Sequence, residues 1–276
     1  MRESKELVYL YRMKIHFIGL SSFLIENKRG YRVLVDPFNN APEWSLGPKF
    51  PGTFKGKPFG ANVVLMSEPD ADHAYAPGGW LQNAPMTKPN SNPFPKMDLR
   101  GTIVYEYNGD VNIAWHYTID GLRLAHFADN SHVLTKQQVS EFGHVDIIFV
   151  AAPKAEGSKF PESLDEIQKN IALLKPKIVI WAHHIVPEGM PKMNDSKKLR
   201  LFFQTYFEKY ARTNKGYDDT DSFMEICYCL ENAALMNSEL QAIELSKTSI
   251  EITPQLLKQA KKKPIGILFK KMIARS

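Results

Sequence analysis

The sequence predicts an α/β protein in which mixed β-sheets are covered by helices. Two observations lead to this prediction. The middle of the chain has three consecutive strand-like stretches joined by tight turns, and the next part has two wholly apolar stretches separated by a helical pattern. The first arrangement indicates antiparallel pairing and the second indicates parallel pairing. With 276 residues, of which 43% are hydrophobic, the chain can form one large domain with or without a small appendage.

The first third of the chain is expected to contain a hairpin, one buried strand and two long loops. Residues 14–19 and 31–36 are apolar stretches on either side of the turn sequence Asn27-Lys28-Arg29-Gly30. Residues 63–66 have the length and the β-branched side chains of a buried strand. Residues 39–61 and 77–100 are rich in proline, glycine and aromatic residues, and such long loops commonly line a binding site.

The middle third supplies the elements of the two pairing patterns. Asn108-Gly109-Asp110 and Asp120-Gly121 are hairpin turns that separate the strands of the meander. Thr135 and Gln138 form the sequence of a capping box, which predicts that a helix begins there. The elements expected in order are strands at 101–107, 111–119 and 122–126, a helix to 142, a strand at 145–151, a helix at 164–174 and a strand at 178–181.

The last third changes to a helical pattern. Helices are expected at 195–210 and 221–236, followed by a late hairpin at 243–252. The tail at 258–275 combines a lysine cluster with a few apolar residues, a composition that can bind membranes or nucleic acid. A solvated face that packs through those apolar residues is the favoured interpretation. The tail after about residue 253 is expected to contribute little to metal binding, because it contains no histidine.

The strand at 63–66 ends in a loop with four side chains that can bind metal. These are Glu68, Asp70, Asp72 and His73. Carboxylates and imidazoles are the ligands that hold zinc, manganese or iron, and several of them converge on one turn only when a charge lies between them. An acidic surface turn with one incidental histidine is the alternative interpretation.

Together with three further stretches, this loop resembles the metallo-β-lactamase superfamily. The second motif of that family reads His-x-His-x-Asp-His, whereas this chain reads Glu-Pro-Asp-Ala-Asp-His, with acids at both leading positions. The stretch MKIHFIGLSSFLIENKRGYRVLVDPF resembles the opening hairpin of the branch that includes sugar-phosphate lactonases. The stretch GLRLAHFADNSH is similar to the fourth motif, and KPKIVIWAH is similar to the last motif, which ends in histidine.

The resemblance implies a fold and a division of the chain. It implies a four-layer αββα sandwich of the metallo-β-lactamase type with a helical C-terminal extension. The corresponding parts are an N-terminal extension at 1–12, the core at 13–190 and a helical part packed on that core at 191–276.

The resemblance also implies one complete metal site and one altered site. The complete site would use Asp72, His73, Asp129 and His183 to hold one divalent metal, with zinc expected and manganese or iron as alternatives. The altered site would keep only Glu68 and Asp70, because residues 104–110 contain no histidine. It either holds a second metal through oxygen ligands or stays empty, and one tightly bound metal per chain is expected.

Further residues are assigned supporting roles. Asp72 is expected to carry a proton during catalysis. Four residues are expected to support the ligands or contact the substrate: Asp36, His126, His132 and His184. His116 lies within a strand and is expected to be a packed core residue.

The function predicted from these residues is a metal-dependent hydrolase of an ester, lactone or phosphate bond. A small-molecule substrate is expected, and the net charge of +5 is compatible with an anionic one. Two alternatives stay open: a catalytically degenerate binding or regulatory module, and a nucleic-acid-processing hydrolase.

The composition bears on the location of the protein. No run of about 18 apolar residues occurs, so no membrane span is expected. Residues 1–12 lack the features of a secretory signal, which favours a cytoplasmic protein. Cys227 and Cys229 are two residues apart on a predicted helix, where a disulfide between them is geometrically poor, so reduced thiols are expected.

Overall fold

The computed structural model describes residues 13–38, 49–70, 72–74, 97–153, 164–191, 196–213, 220–261 and 263–274. Two β-sheets form its centre. The smaller sheet consists, in spatial order, of β13 (Ser249–Ile252), β1 (Met13–Gly19), β2 (Ser22–Asn27), β3 (Arg32–Val35) and β6 (Val63–Leu65). The larger sheet consists, in spatial order, of β12 (Gln241–Leu245), β14 (Ile265–Phe269), β11 (Ile178–Ala182), β10 (Ile147–Ala151), β9 (Leu122–His126), β8 (Val111–Ile119) and β7 (Arg100–Tyr105).

The remaining described elements are a short hairpin and the helices. The hairpin consists of β4 (Thr53–Phe54) and β5 (Lys57–Pro58). The helices are α1 (Lys136–Phe142), α2 (Leu164–Leu174), α3 (Ser196–Thr213), α4 (Thr220–Ser238) and α5 (Pro254–Gln259).

The two sheets pack face to face through aromatic side chains. Phe23 of β2 lies with its ring centroid 4.8 Å from that of Phe149 on β10. Phe17 of β1 stacks on Phe269 of β14 at 5.5 Å. All four side chains are almost completely buried, as expected for a core between two sheets that meet across their inner faces. The predicted α/β sandwich is confirmed.

Both predicted pairing patterns are present in the larger sheet. Strands β7, β8 and β9 pair antiparallel in sequence order, which is the predicted meander. Strands β9, β10 and β11 pair in parallel, and every residue of β10 and β11 is buried. Helix α1 begins after Thr135, whose side chain and that of Gln138 form the predicted capping box. The strand–helix–strand prediction is therefore confirmed.

Residues 49–60 pack on the outer face of the smaller sheet. The Phe54 ring lies 4.9 Å from the ring of His16, and the Arg32 guanidinium lies 5.4 Å from the Phe54 centroid. Phe59 is also buried. These aromatic residues therefore pack their loop onto the domain. The rest of the two long predicted loops, residues 39–48 and 75–96, lies outside the described residues.

The prediction of a helical C-terminal extension was wrong in one respect, because this part also supplies strands to both sheets. Strand β14 lies between β11 and β12, and all five of its residues are buried. Strand β13 pairs with β1 in the other sheet, so residues 243–252 do not form a hairpin. Residues 265–269 were interpreted as part of an amphipathic tail because their short apolar run follows a lysine cluster. Pairing on both sides buries that run instead.

Two smaller predictions concern the cysteines and the membrane. Cys229 is a buried thiol, whereas the side chain of Cys227 lies outside the described residues. No helix in the described part of the chain has both the length and the apolar character that crossing a bilayer requires.

Strand β14 leaves no room for a side chain at Gly266. A Cβ atom there would lie 2.1 Å from Asn237 Oδ1 and 2.7 Å from Leu240 Cδ1. We expect Gly266→Ala to lower the free energy of unfolding by about 1–3 kcal/mol, the usual cost of overpacking a core. Gly60→Ala is the matched control, because a Cβ there meets nothing within 4 Å. Equal urea midpoints for the two variants would contradict the close approach of α4 to β14.

Candidate metal centre

Four strand ends deliver the polar side chains of the candidate centre. These are the carboxyl ends of β3, β6, β9 and β11. Three residues beside them have left-handed backbone conformations: Asp36 with φ 44°, Ala128 with φ 51° and His183 with φ 57°. Such conformations cost about 1–3 kcal/mol in non-glycine residues and are concentrated at functional sites. Sharp turns at these strand ends therefore direct several chain segments to one place.

The loop after β6 is anchored to the opposite sheet. The Met66 carbonyl accepts a hydrogen bond of 2.9 Å from the Trp115 indole, and the Ser67 carbonyl accepts one of 2.9 Å from the Ile113 amide. The end of β11 in the larger sheet is anchored to the residue that follows β1 in the smaller sheet. That residue, Leu20, exchanges backbone hydrogen bonds of 2.9 and 3.0 Å with His184 and His183. The two sheets are thus joined directly beside the cluster.

Asp36 is the centre of a fully buried hydrogen-bond network. Its Oδ1 accepts from the Ser67 amide at 2.8 Å, and its Oδ2 accepts from the Ser67 hydroxyl at 2.9 Å. The same Oδ2 lies 2.9 Å from His73 Nδ1 and 2.7 Å from His126 Nε2. A carboxylate in this position fixes the tautomer of a histidine and leaves its other nitrogen available to a metal. Asp36 therefore presents His73 Nε2 to the site.

The two neighbouring histidines keep the Asp36 carboxyl group in its charged form. Burial alone would raise the pKa of this carboxyl group, but the charges and hydrogen bonds of His126 and His73 outweigh burial and hold the pKa well below its usual range. Asp36 is therefore ionised at neutral pH, and His126 serves it rather than the metal cluster.

Three carboxylates surround the second ring nitrogen of this buried imidazole, Nε2. His73 Nε2 lies 3.0 Å from Glu68, 3.6 Å from Asp72 and 3.6 Å from Asp129. His183 Nε2 completes the cluster. It lies 3.3 Å from Asp72 and 3.1 Å from Asp129, and its ring stacks on that of His73 at 5.5 Å.

The cluster fits a cation. Two overlapping groups have ligand atoms that all lie within 4.8 Å of one another: Asp72, His73 and His183 form the histidine side, and Glu68, His73 and Asp129 form the acidic side. His73 Nε2 and Asp129 Oδ1 are buried, and within the described residues they make ion-pair contacts but no hydrogen bond of good geometry. Buried polar atoms without partners are costly, and a cation between these nitrogen and oxygen atoms would satisfy them.

The charges in the cluster determine which of its groups carry protons when no cation is bound. Burial alone would lower the pKa of the His73 imidazole, but Asp72, Glu68 and Asp129 together raise it well above the ordinary value. Burial also raises the pKa of Glu68 to about 10, with the charge of Asp129 and a hydrogen bond to Glu106 acting in the same direction against the charge of His73. Without a cation, protons on His73 and Glu68 therefore balance the remaining carboxylates.

Glu106 is the residue that sequence reasoning missed. It follows β7 and hydrogen-bonds to Glu68, and its Oε1 accepts a bond of 2.9 Å from the Asn112 amide. The sequence-based prediction expected a histidine as the third ligand, and residues 104–110 contain none. The signal was available, because a carboxylate is also a metal ligand and Glu106 lies in the stretch where the family motif would place one.

Besides Asp36 and His126, three more residues predicted near the site lie outside the two ligand groups: Asp70, His132 and His184. Asp70 is exposed, and its carbonyl accepts the amides of His73 and Ala74, so it opens the turn that carries His73. His132 is exposed and lies 3.1 Å from the Glu106 carbonyl.

His184 is a core residue rather than a site residue. Its ring stacks on Phe17 at 4.6 Å, its Nε2 lies 3.1 Å from the Phe269 carbonyl, and burial lowers its pKa to about 4. His116 is also buried and bonds to Thr102, as expected for a packed residue.

The metal content of variants tests which side of the cluster, the histidine side or the acidic side, holds the ion. We expect His183→Ala to lose the tightly bound metal, because it removes one of the two imidazole ligands. Glu106→Gln should retain about one metal ion per chain, because Glu106 contacts only the acidic side. His132→Ala is the matched histidine control and should bind metal as the unaltered chain does. Elemental analysis of the purified, folded variants measures this, and equal metal contents in all of them would contradict the assignment.

Binding of the metal should release protons. The raised pKa of His73 means that Nε2 carries a proton at neutral pH, and a cation can bind only after that proton leaves. The apparent affinity for zinc should therefore rise with pH, by roughly tenfold per pH unit for each proton released. Titration in lightly buffered solution with an indicator dye counts the protons.

Glu68→Gln tells which side of the cluster the ion occupies. An ion on the histidine side leaves the Glu68 proton in place, so the variant should release as many protons as the unaltered chain. Affinity that does not change between pH 6.5 and 8.5 would contradict a protonated His73.

Comparisons with known proteins identify the family and the fold of this chain. The model of the family described as "Beta-lactamase superfamily domain" matches residues 14–183, more than half of the chain. The fold is similar to that of a proposed Zn-dependent hydrolase of the metallo-beta-lactamase superfamily from Thermotoga maritima, with a TM-score of 0.55 and 17% identity over 93% of this chain and 98% of that one.

Two further structures have lower scores. Igni18, a metallo hydrolase from Ignicoccus hospitalis, has a TM-score of 0.46 and 16% identity, with 74% of this chain and 93% of that chain covered. Human tRNase Z, short form, has a TM-score of 0.44 and 9% identity, with 62% and 92% covered. Comparison with curated protein sequences gave no significant match. On the evidence of its sequence motifs, its sandwich fold and the family match, the chain belongs to the beta-lactamase superfamily.

Proposed function

We propose that this protein is a metal-dependent hydrolase of an ester, lactone or phosphate bond in a small molecule. The observation that carries the proposal is the pair of buried atoms without hydrogen-bond partners, His73 Nε2 and Asp129 Oδ1, inside a ring of carboxylates. Members of this superfamily are generally hydrolases, and the altered second motif of this chain still leaves a group of ligand atoms at the usual strand ends.

The histidine side is the proposed metal site. Asp72, His73 and His183 would hold the ion, with Asp129 beside both histidines. Two imidazoles with carboxylates suit zinc, and manganese or iron are alternatives. A divalent ion bound there supplies a lowered pKa for a water molecule and a positive charge for the oxygen that becomes negative during hydrolysis.

The chain's own residues would hold the proton and the ligands in place. Asp36 occupies His73 Nδ1, so that Nε2 is the nitrogen directed towards the other candidate ligands. Asp72 is the proposed proton carrier. It is partly exposed, whereas Asp129 and His183 are buried, and its carboxylate lies within 3.3 Å of His183. A carboxylate that reaches both the ligand cluster and solvent can accept a proton and pass it on.

The acidic side would differ from the usual second site of the superfamily. Its ligands are Glu68 and Asp129, with Glu106 behind Glu68, so hard oxygen donors replace imidazoles. Such a group favours magnesium, manganese or iron over zinc. We propose one tightly bound ion on the histidine side. The acidic side would be weakly occupied or empty, because the neutral Glu68 carboxyl group already makes a hydrogen bond to Glu106.

One alternative function is supported by a specific observation. Both leading histidines of the second motif are acids in this chain, and this loss is what a binding or regulatory module derived from the fold would show. Activity with the metal present is therefore the deciding measurement.

Asp72→Asn tests the hydrolase proposal. With zinc or manganese present, we expect the protein to hydrolyse at least one of a nitrophenyl ester, a lactone and bis-nitrophenyl phosphate. Asp72→Asn should lower kcat by about 10²–10⁴-fold, the usual contribution of a positioned acid or base. His132→Ala should keep the activity. A fully metal-loaded protein that hydrolyses none of the three, or an Asp72→Asn variant as active as the unaltered chain, would favour the binding module.

A further inference from the structure

A cavity lies away from the candidate metal centre and is lined by different kinds of residues. Its volume is about 680 Å³, within the range of small-molecule sites. Helix α2, the end of α4, helix α5 and the segment before β14 surround it. Lys175 and Lys177 precede β11, and Lys263 precedes β14, so these lysines lie at the sheet edge opposite to the one that carries His183. No lining residue belongs to the metal centre.

The floor of this cavity is apolar and rigid. Trp181 of β11 and Met236 of α4 are buried there, with Ile171, Leu240 and Leu257 around them. The Trp181 indole donates a hydrogen bond of 3.1 Å to Asn237, which is itself fully buried. A floor fixed in this way does not need to reorganise when a ligand enters, and preorganisation of this kind favours binding.

The rim of the cavity carries positive charge. Lys175, Lys261 and Lys263 are exposed and line it, and none of them is paired with a carboxylate in the described part of the chain. Lys177 is already neutralised, because its Nζ lies 2.7 Å from Asp146. The acidic lining residue, Glu239, accepts a hydrogen bond of 2.6 Å from Gln168. The rim therefore presents unneutralised ammonium groups around an apolar floor.

From this combination we infer that the cavity binds a single-chain acyl anion, with the chain on the Trp181 floor and the carboxylate or phosphate head at the lysine rim. The aliphatic lining accepts a flexible chain through contact area alone, and a point charge such as a lysine ammonium group suits either head group. The proposal also gives the lysine cluster before β14 a role, which the hydrolase proposal leaves without one. It holds whether or not the chain is a hydrolase.

Calorimetric titration with octanoate, decanoate and dodecanoate below their micellar concentrations tests the inference. Decanoate should bind, and each added methylene should strengthen binding about fourfold if it is fully buried. Decanol, which has no charge, should bind at least tenfold more weakly than decanoate. Equal affinities for the three chain lengths, or for decanoate and decanol, would overturn the proposal.

Variants separate this cavity from other surfaces. The triple variant Lys175→Gln, Lys261→Gln, Lys263→Gln should weaken decanoate binding at least tenfold. The control triple Lys28→Gln, Lys136→Gln, Lys247→Gln removes the same charge from exposed lysines outside the cavity and should bind as the unaltered chain does. Ala172→Trp places a large side chain at an exposed lining position and should block the chain without disturbing the core.

Vesicles distinguish a soluble acyl anion from a lipid surface. Sedimentation with phosphatidylcholine vesicles, with and without phosphatidylglycerol, should show no binding that the rim lysines control. Binding to the anionic vesicles without any binding of soluble decanoate would overturn the inference in favour of a membrane-facing basic patch. Equal decanoate binding by the two lysine triples would overturn it as well.

Discussion

The buried carboxylate of Asp36 is the constraint on which the rest of the candidate centre depends. It accepts hydrogen bonds from the backbone and hydroxyl of Ser67 and lies within hydrogen-bonding distance of His73 and His126. Asp36 itself follows β3, and its partners come from the loop after β6 and the end of β9, so one side chain joins three segments of two sheets. An uncompensated carboxylate would be very costly in this core. The two imidazoles that stabilise it are therefore also fixed by it, and His73 becomes a preorganised ligand.

Charge balance explains how the altered motif can still form a site. The acid at the first leading position, Glu68, adds a carboxyl group beside Asp72 and Asp129, whereas Asp70 at the second leading position is exposed. Protons on His73 and Glu68 offset that charge when no cation is bound. A cation and these protons therefore compete for the same atoms, and the site responds to both metal concentration and pH. The hydrogen bond from Glu68 to Glu106 acts in the same direction as burial, and it helps to raise the pKa of Glu68.

Much of the fold, and the convergence of most of the candidate ligand residues, could be predicted from the sequence for identifiable physical reasons. Residues 63–66, 122–126 and 178–181 are short apolar runs that end in polar loops, and such runs are buried strands wherever helices cover the sheet. The different roles of the adjacent residues His183 and His184 were harder to predict. The left-handed backbone at His183 sends that ring to the cluster while the His184 ring enters the core, and no local sequence pattern encodes that turn.

Strand β14 was not predictable for a different reason. Its five apolar residues acquire a partner on each side only after β11 and β12 are placed, and β11 lies far away in the sequence. Glu106 was overlooked because the search for a third ligand was limited to histidine. In both instances tertiary context, rather than local propensity, decided the role of the residues.

The C-terminal segment supplies none of the identified ligands, yet it supports one of them. The Phe269 carbonyl of β14 lies 3.1 Å from the His184 ring, and the Ala274 amide donates to the Ile18 carbonyl at 2.9 Å. Met272 contacts the Val186 amide through its sulfur atom at 3.4 Å. These contacts surround the bridge between Leu20 and His184, and the bridge sets the backbone turn at His183. Residues beyond the family match at 183 therefore support the backbone beside His183, a candidate ligand. Within the described residues the tail after about residue 253 supplies no side chain to either ligand group, but it contacts the backbone beside His183.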